Sequence, residues 1–116
     1  LRPPTGRNFA GASYIDLYNL GFLTREMDRT YLRGKPLWLT EFGVGTRRVP
    51  QYPFFRTRAQ QRAGLQDALR RVRANPRVRV FVWYLLQDHR DWSSGLVDER
   101  GREKPAAAVF RREARR

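Results

Sequence analysis

The stretch KPLWLTEFGVGT, residues 35–46, sets one carboxylate, Glu41, between an apolar run and a glycine-rich turn. An ionised side chain costs several kcal/mol to desolvate unless it is paired or hydrogen-bonded, so a glutamate closing a buried strand needs a partner or a task. A second polar group, Gln87, Asp88 and His89, follows the apolar run VFVWYLL at 80–86. In parallel α/β proteins the functional groups gather at the carboxyl ends of strands, where carboxylates serve as acids, bases and nucleophiles. Position alone leaves alternatives open. Glu41 can cap a loop or pair with an arginine such as Arg47, Trp38 and Trp83 can be core aromatics, and Asp88 can bond a turn amide.

The elements that must position these residues follow from periodicity. Residues 13–34, SYIDLYNLGFLTREMDRTYLRG, open on a near capping box, Ser13 with Asp16, and space Leu20, Leu23, Met27 and Tyr31 as one helical face, with Gly34 as the stop. Residues 36–40, PLWLT, are continuously apolar, which predicts a strand covered on both faces of a parallel sheet. A long loop is expected over 43–56. Residues 57–76 carry a capping box in Thr57 and Gln60, an inward stripe of Leu65, Ala68, Leu69 and Val72, and outward Arg58, Arg62, Gln66 and Arg73. Asn75 and Pro76 end that helix. Residues 78–86, VRVFVWYLL, predict a second strand, and Pro105 opens a short last helix with Ala108 or Val109 and Phe110 turned to the core.

The order helix, strand, helix, strand, helix predicts two parallel strands joined by a helical crossover. Two strands cannot close a barrel, and for strands this apolar with both edges open the simplest resolution is that more strands lie upstream.

Composition narrows the chemistry. The 116 residues include no cysteine and a single histidine, His89, which excludes disulfide frameworks and thiolate or histidine-rich metal sites but leaves the compartment open. The opening LRPPTGRN shows no signal peptide, and the longest apolar run is strand-sized, so no membrane span is expected. The net charge of +13 comes from 24 basic and 11 acidic residues. The basic residues are nearly all arginine and are scattered through every segment, which argues for a solvated surface over a nucleic-acid partner. Gly43-Val44-Gly45 lacks the third glycine and the later acid of a dinucleotide site.

GKPLWLTEFG resembles the seventh strand of the clan-A retaining glycoside hydrolases, (β/α)8 barrels whose nucleophilic glutamate ends that strand. VFVWYLLQD, followed after a gap by SSGLVDERGREKPAAAVF, is similar to their eighth strand, loop and last helix, through Gly95, Leu96, Asp98, Gly101, Lys104, Pro105 and Phe110. The resemblance covers about residues 14–112. It implies that residues 1–116 form the carboxy-terminal part of one (β/α)8 TIM barrel, strands 7 and 8 with flanking helices, a fold that takes about 250 residues. It further implies a retaining O-glycosyl hydrolase of cellulase-like, mannanase-like or xylosidase- or iduronidase-like type, with a carbohydrate substrate and no cofactor. Glu41 would be the nucleophile, Trp83 a sugar platform, and Gln87, Asp88 and His89 contacts to sugar hydroxyls. Tyr52, Phe54 and Phe55 would wall the cleft or pin its loop.

Such an enzyme needs two carboxyl groups about 5 to 5.5 Å apart. The acid/base glutamate of the family follows an asparagine, and no Asn-Glu pair occurs in this chain. The upstream part of the barrel is therefore required, and the chain alone is expected to be inactive. Two other readings are a catalytically inactive carbohydrate-binding barrel and a basic nucleic-acid-binding module.

Overall fold

The computed structural model describes residues 16–50 and 54–114. The elements run α1 (Leu20–Asp28), β1 (Leu37–Phe42), α2 (Arg58–Ala74), β2 (Val78–Trp83) and α3 (Pro105–Ala114). The class is α/β, and β1 pairs with β2 in parallel as a two-stranded sheet. Leu37 lies opposite Val78, Leu39 opposite Phe81 and Phe42 opposite Trp83, with two irregularities in register.

The middle helix forms where its sequence signals say. Thr57 Oγ1 accepts from Gln60 N at 3.1 Å while Gln60 Oε1 accepts from Thr57 N at 2.9 Å, so both orphan donors are satisfied reciprocally. Leu65, Ala68 and Val72 are buried and Leu69 half-buried, whereas Arg58, Arg62, Gln66 and Arg73 face solvent. Pro105 starts α3, where its missing N–H costs nothing, and Ala106, Ala107 and Val109 turn inward with Phe110 half-buried and Ala108 exposed. Alanines on that face let α3 lie close against α2. Leu65, Trp83, Leu96, Ala106, Ala107 and Val109 make the core, and Phe42, Val44, Leu69, Phe81 and Phe110 pack around it.

Three expectations are corrected. The first helix starts at Leu20, not near Ser13, because Asp16 and Asn19 tie the preceding residues into a turn. Asp16 Oδ1 accepts from Tyr18 N at 2.7 Å and from Asn19 N at 3.2 Å, while Asn19 Oδ1 accepts from Asp16 N at 2.7 Å. Short polar side chains compete in this way with helical backbone bonds. Ser13 itself lies outside the described residues. The helix also ends early, at Asp28, and Tyr31 is 89 % exposed instead of facing inward. The chain then turns through Gly34, at φ +72°, and Arg77 anchors it by donating to Asp28 Oδ1 at 2.6 Å, Lys35 O at 2.6 Å and Leu32 O at 3.1 Å.

The second correction concerns β1, which is covered on one face only. Trp38 is 67 % exposed and Thr40 and Glu41 face solvent, while Leu37, Leu39 and Phe42 are half-buried. Helices α2 and α3 cover the side that carries Phe42, Phe81 and Trp83; among the described residues nothing covers Trp38 or Val82.

The third is the end of β2, at Trp83 instead of Leu86. Beyond the cis Tyr84–Leu85 peptide the backbone leaves β1 and pairs with its own loop: Leu96 N donates to Leu85 O at 3.2 Å and Val97 N to Leu86 O at 2.9 Å. Leu86 is consequently exposed.

Candidate active site

Strand β1 presents Glu41 one residue before its end, at the edge of a cleft of about 190 Å³ lined by Glu41, Phe42, Gly43, Tyr84, Trp92 and Ser94 among others. The carboxylate is exposed and, among the described residues, accepts no hydrogen bond and joins no ion pair. Arg47, a possible partner on sequence grounds, instead bonds Glu99 at 2.5 Å and the carbonyls of His89 and Arg90. Phe42 turns the other way, with its ring 5.6 Å from Phe81 and 5.8 Å from Trp83. The strand therefore anchors itself through Phe42 and leaves its neighbour Glu41 to the cleft.

Close backbone approach shapes the floor. Tyr84 N donates to Phe42 O at 2.7 Å, and Ser94 Oγ donates to Tyr84 O at 2.6 Å. A Cβ on Gly43 would overlap Tyr84 O and sit 2.8 Å from Ser94 Cβ, so glycine is needed there for space.

Aromatic surface beside Glu41 comes from residues the sequence reading passed over. Tyr84 and Trp92 line the cleft at 37 % and 41 % exposure, their rings perpendicular and 5.9 Å apart. Trp83, the expected sugar platform, is instead 6 % exposed and donates its indole N–H to Ser94 O at 2.8 Å, so its faces lie within the core. Alternation along the strand explains the exchange, because neighbouring residues point to opposite faces.

The other expected contacts also have structural work. Asp88 is nearly buried; it accepts from Gly95 N at 2.8 Å and pairs with Lys104 at 2.7 Å. Lys104 is fully buried, and its ammonium also donates to Thr46 Oγ1 at 2.8 Å and Ser93 O at 3.0 Å, which uses all three protons. Burial lowers its pKa, and Asp88 opposes that shift. Gln87 donates to Glu99 O at 3.1 Å away from the cleft, and His89 sits in an exposed turn, its backbone N bonding Trp92 O at 2.8 Å. Phe54 and Phe55 are exposed, and Tyr52 lies outside the described residues.

Two further side chains lock the cleft's loops together. Ser93 Oγ accepts from Thr46 N at 3.1 Å and Arg47 N at 3.0 Å and donates to Arg47 O at 2.8 Å. Gln61 is fully buried and its Nε2 meets the carbonyls of Val44, Gly95 and Ser94 at 3.0, 3.2 and 3.3 Å. The expected inward stripe left it out, although 61, 65, 68 and 72 share one helical face.

Chemically, the arrangement offers one solvent-reaching carboxylate on a clamped framework with aromatic walls. Glu41 is the one acid among the described residues that line the cleft. Compared with family models, curated proteins and solved structures, the chain matches none.

Proposed function

We propose that this chain is the carboxy-terminal part of a (β/α)8-barrel retaining O-glycosyl hydrolase, with Glu41 as nucleophile. The observation that carries the reading is a carboxylate that has no partner among the described residues, at the carboxyl end of a parallel strand, in a cleft walled by Tyr84 and Trp92. A pyranose has an apolar C–H face that packs on aromatic surface while its hydroxyls seek polar groups, and the cleft supplies both. Among the described residues the sheet face at Trp38 and Val82 is bare and the outer strand edges are unpaired, which suits a sheet continued by further strands.

In this reading Glu41 attacks the anomeric carbon as the glycosidic bond breaks, and a second carboxyl group from the upstream barrel protonates the leaving oxygen. Water, deprotonated by that same group, then releases the sugar from Glu41. Tyr84 takes the platform role once expected of Trp83, and the Lys104, Ser93 and Gln61 contacts keep the two cleft loops in register.

The test uses the protein together with its upstream barrel. A mechanism-based 2-fluoro glycoside should leave its sugar on Glu41, read by mass spectrometry of the digested protein. Glu41→Gln should remove nearly all turnover of an aryl glycoside while the protein stays folded, because the amide keeps the shape but is a far poorer nucleophile. A variant with undiminished turnover would remove Glu41 from the mechanism.

A further inference from the structure

We propose that the arginine-lined groove between the loops following β1 and β2 binds a tetrahedral oxyanion, phosphate or sulfate. The groove shares no lining residue with the Glu41 cleft, and the proposal does not depend on the glycosidase reading. Its space of about 360 Å³ is lined by Arg47, Arg58, Arg100 and Arg102, with Asp98 and Glu99. Asp88, which also lines it, is already committed to Lys104.

The four guanidiniums outnumber the carboxylates that face them. Asp98 serves both Arg58, at 3.3 Å, and Arg102, at 2.9 Å, and Glu99 serves Arg47. The Arg100 side chain has no hydrogen-bond or ion-pair partner among the described residues. Two unit charges are left over, matching inorganic sulfate or a phosphate monoester near its second ionisation.

Helix geometry sharpens the imbalance. Arg58 is the first residue of α2, and that helix has no acid in its first turn. A cation there opposes the helix dipole, so the position favours an anion. Asp98 meets the demand only in part, because it also accepts from the backbone of Arg100 and Arg102, each at 3.0 Å. The side chains of Arg47 and Arg58 are about half exposed and that of Arg102 is 65 % exposed, so they can swing onto a ligand and hold oxygens in the forked geometry that guanidinium prefers.

The experiment is a thermal and calorimetric titration of the protein with sodium sulfate and sodium phosphate against sodium chloride at equal ionic strength. A saturable rise in melting temperature with sulfate or phosphate, absent with chloride, is expected. Arg58→Gln combined with Arg100→Gln should weaken that binding by at least about tenfold. Arg100→Gln alone, at an exposed position, separates lost binding from lost folding. A phosphorylated or sulfated monosaccharide added in parallel assigns the source: tighter binding than the inorganic ion points to a charged sugar, weaker binding to the free ion. Equal shifts with chloride, or unchanged affinity in the double variant, would overturn the proposal.

Discussion

Lys104 Nζ lies 2.7 Å from the Asp88 carboxylate in the interior, joining the start of α3 to the loop after β2. The Lys104 side chain is fully buried and that of Asp88 nearly so, and each leans on the other and on the Thr46, Ser93 and Gly95 groups around them. Removing one partner of such a pair leaves a buried charge alone, which costs about 3–5 kcal/mol. Lys104→Met should therefore lower stability by about that much in chemical denaturation. Asp88→Asn in the same background should recover part of the loss, because it removes the stranded charge; two fully additive single effects would show that the groups do not interact.

Gly43→Ala is expected to destabilise although it adds one methyl group. The new Cβ would press on Tyr84 O and Ser94 Cβ, and overpacking of this kind costs about 1–3 kcal/mol. Gly34→Ala meets nothing within 4 Å, and its penalty comes only from the positive φ of +72°. If Gly43→Ala proved the milder of the two, the tight crossing of β1 and the Tyr84 backbone would be wrong.

How much of this was legible in the sequence depends on whether the signal was local. Thr57 with Gln60, the stripe through Leu65, Ala68 and Val72, and Pro105 act within one helix, so their spacing sufficed. The early end of α1 and the exposure of Trp38 were not legible, because an apolar run says that a strand wants covering, not which face receives it. Glu41 was expected just past a buried strand; it lies within β1, one residue before its end, and is exposed. Trp83 and Asp88 were expected to meet substrate, yet tertiary partners, Ser94 O and Lys104, occupy them; Tyr84 gained the cleft through a one-residue alternation that periodicity of a fully apolar run does not phase.

Acid should unfold the protein in a window that Asp98 helps to set. Its near-burial favours the neutral acid, but the amides of Arg102 and Arg100 and the Arg102 guanidinium outweigh this and hold the pKa at about 2. The unfolded chain takes up that proton at about pH 4, so between those values the unfolded state binds more protons than the folded one. Stability from Asp98 is thus full above about pH 4 and lost as the pH falls towards 2. Asp28, through the Gly34 amide and Arg77, and Asp67, through Arg71, are shifted the same way and add to the slope. Melting curves of the wild type and Asp98→Asn should differ at neutral pH and converge towards pH 2; curves that stay parallel would mean the carboxylate is not held as described.

Glu41 and Trp83 should separate function from stability. Glu41 is exposed and without a partner among the described residues, so Glu41→Gln is expected to change stability by no more than a surface substitution does, about 0.5 kcal/mol. Trp83 fills the core against Phe42, and Trp83→Ala should cost about 3–5 kcal/mol. Tyr84→Ala belongs between them: its half-open ring contributes modest packing, while in the barrel-completed protein its loss should raise KM for an aryl glycoside more than it lowers kcat, as removal of a binding surface does. Denaturation midpoints together with steady-state kinetics on the three variants decide the matter. A large stability loss from Glu41→Gln would reveal a structural carboxylate, and a Tyr84→Ala enzyme with unchanged KM would move the sugar platform away from the wall formed with Trp92.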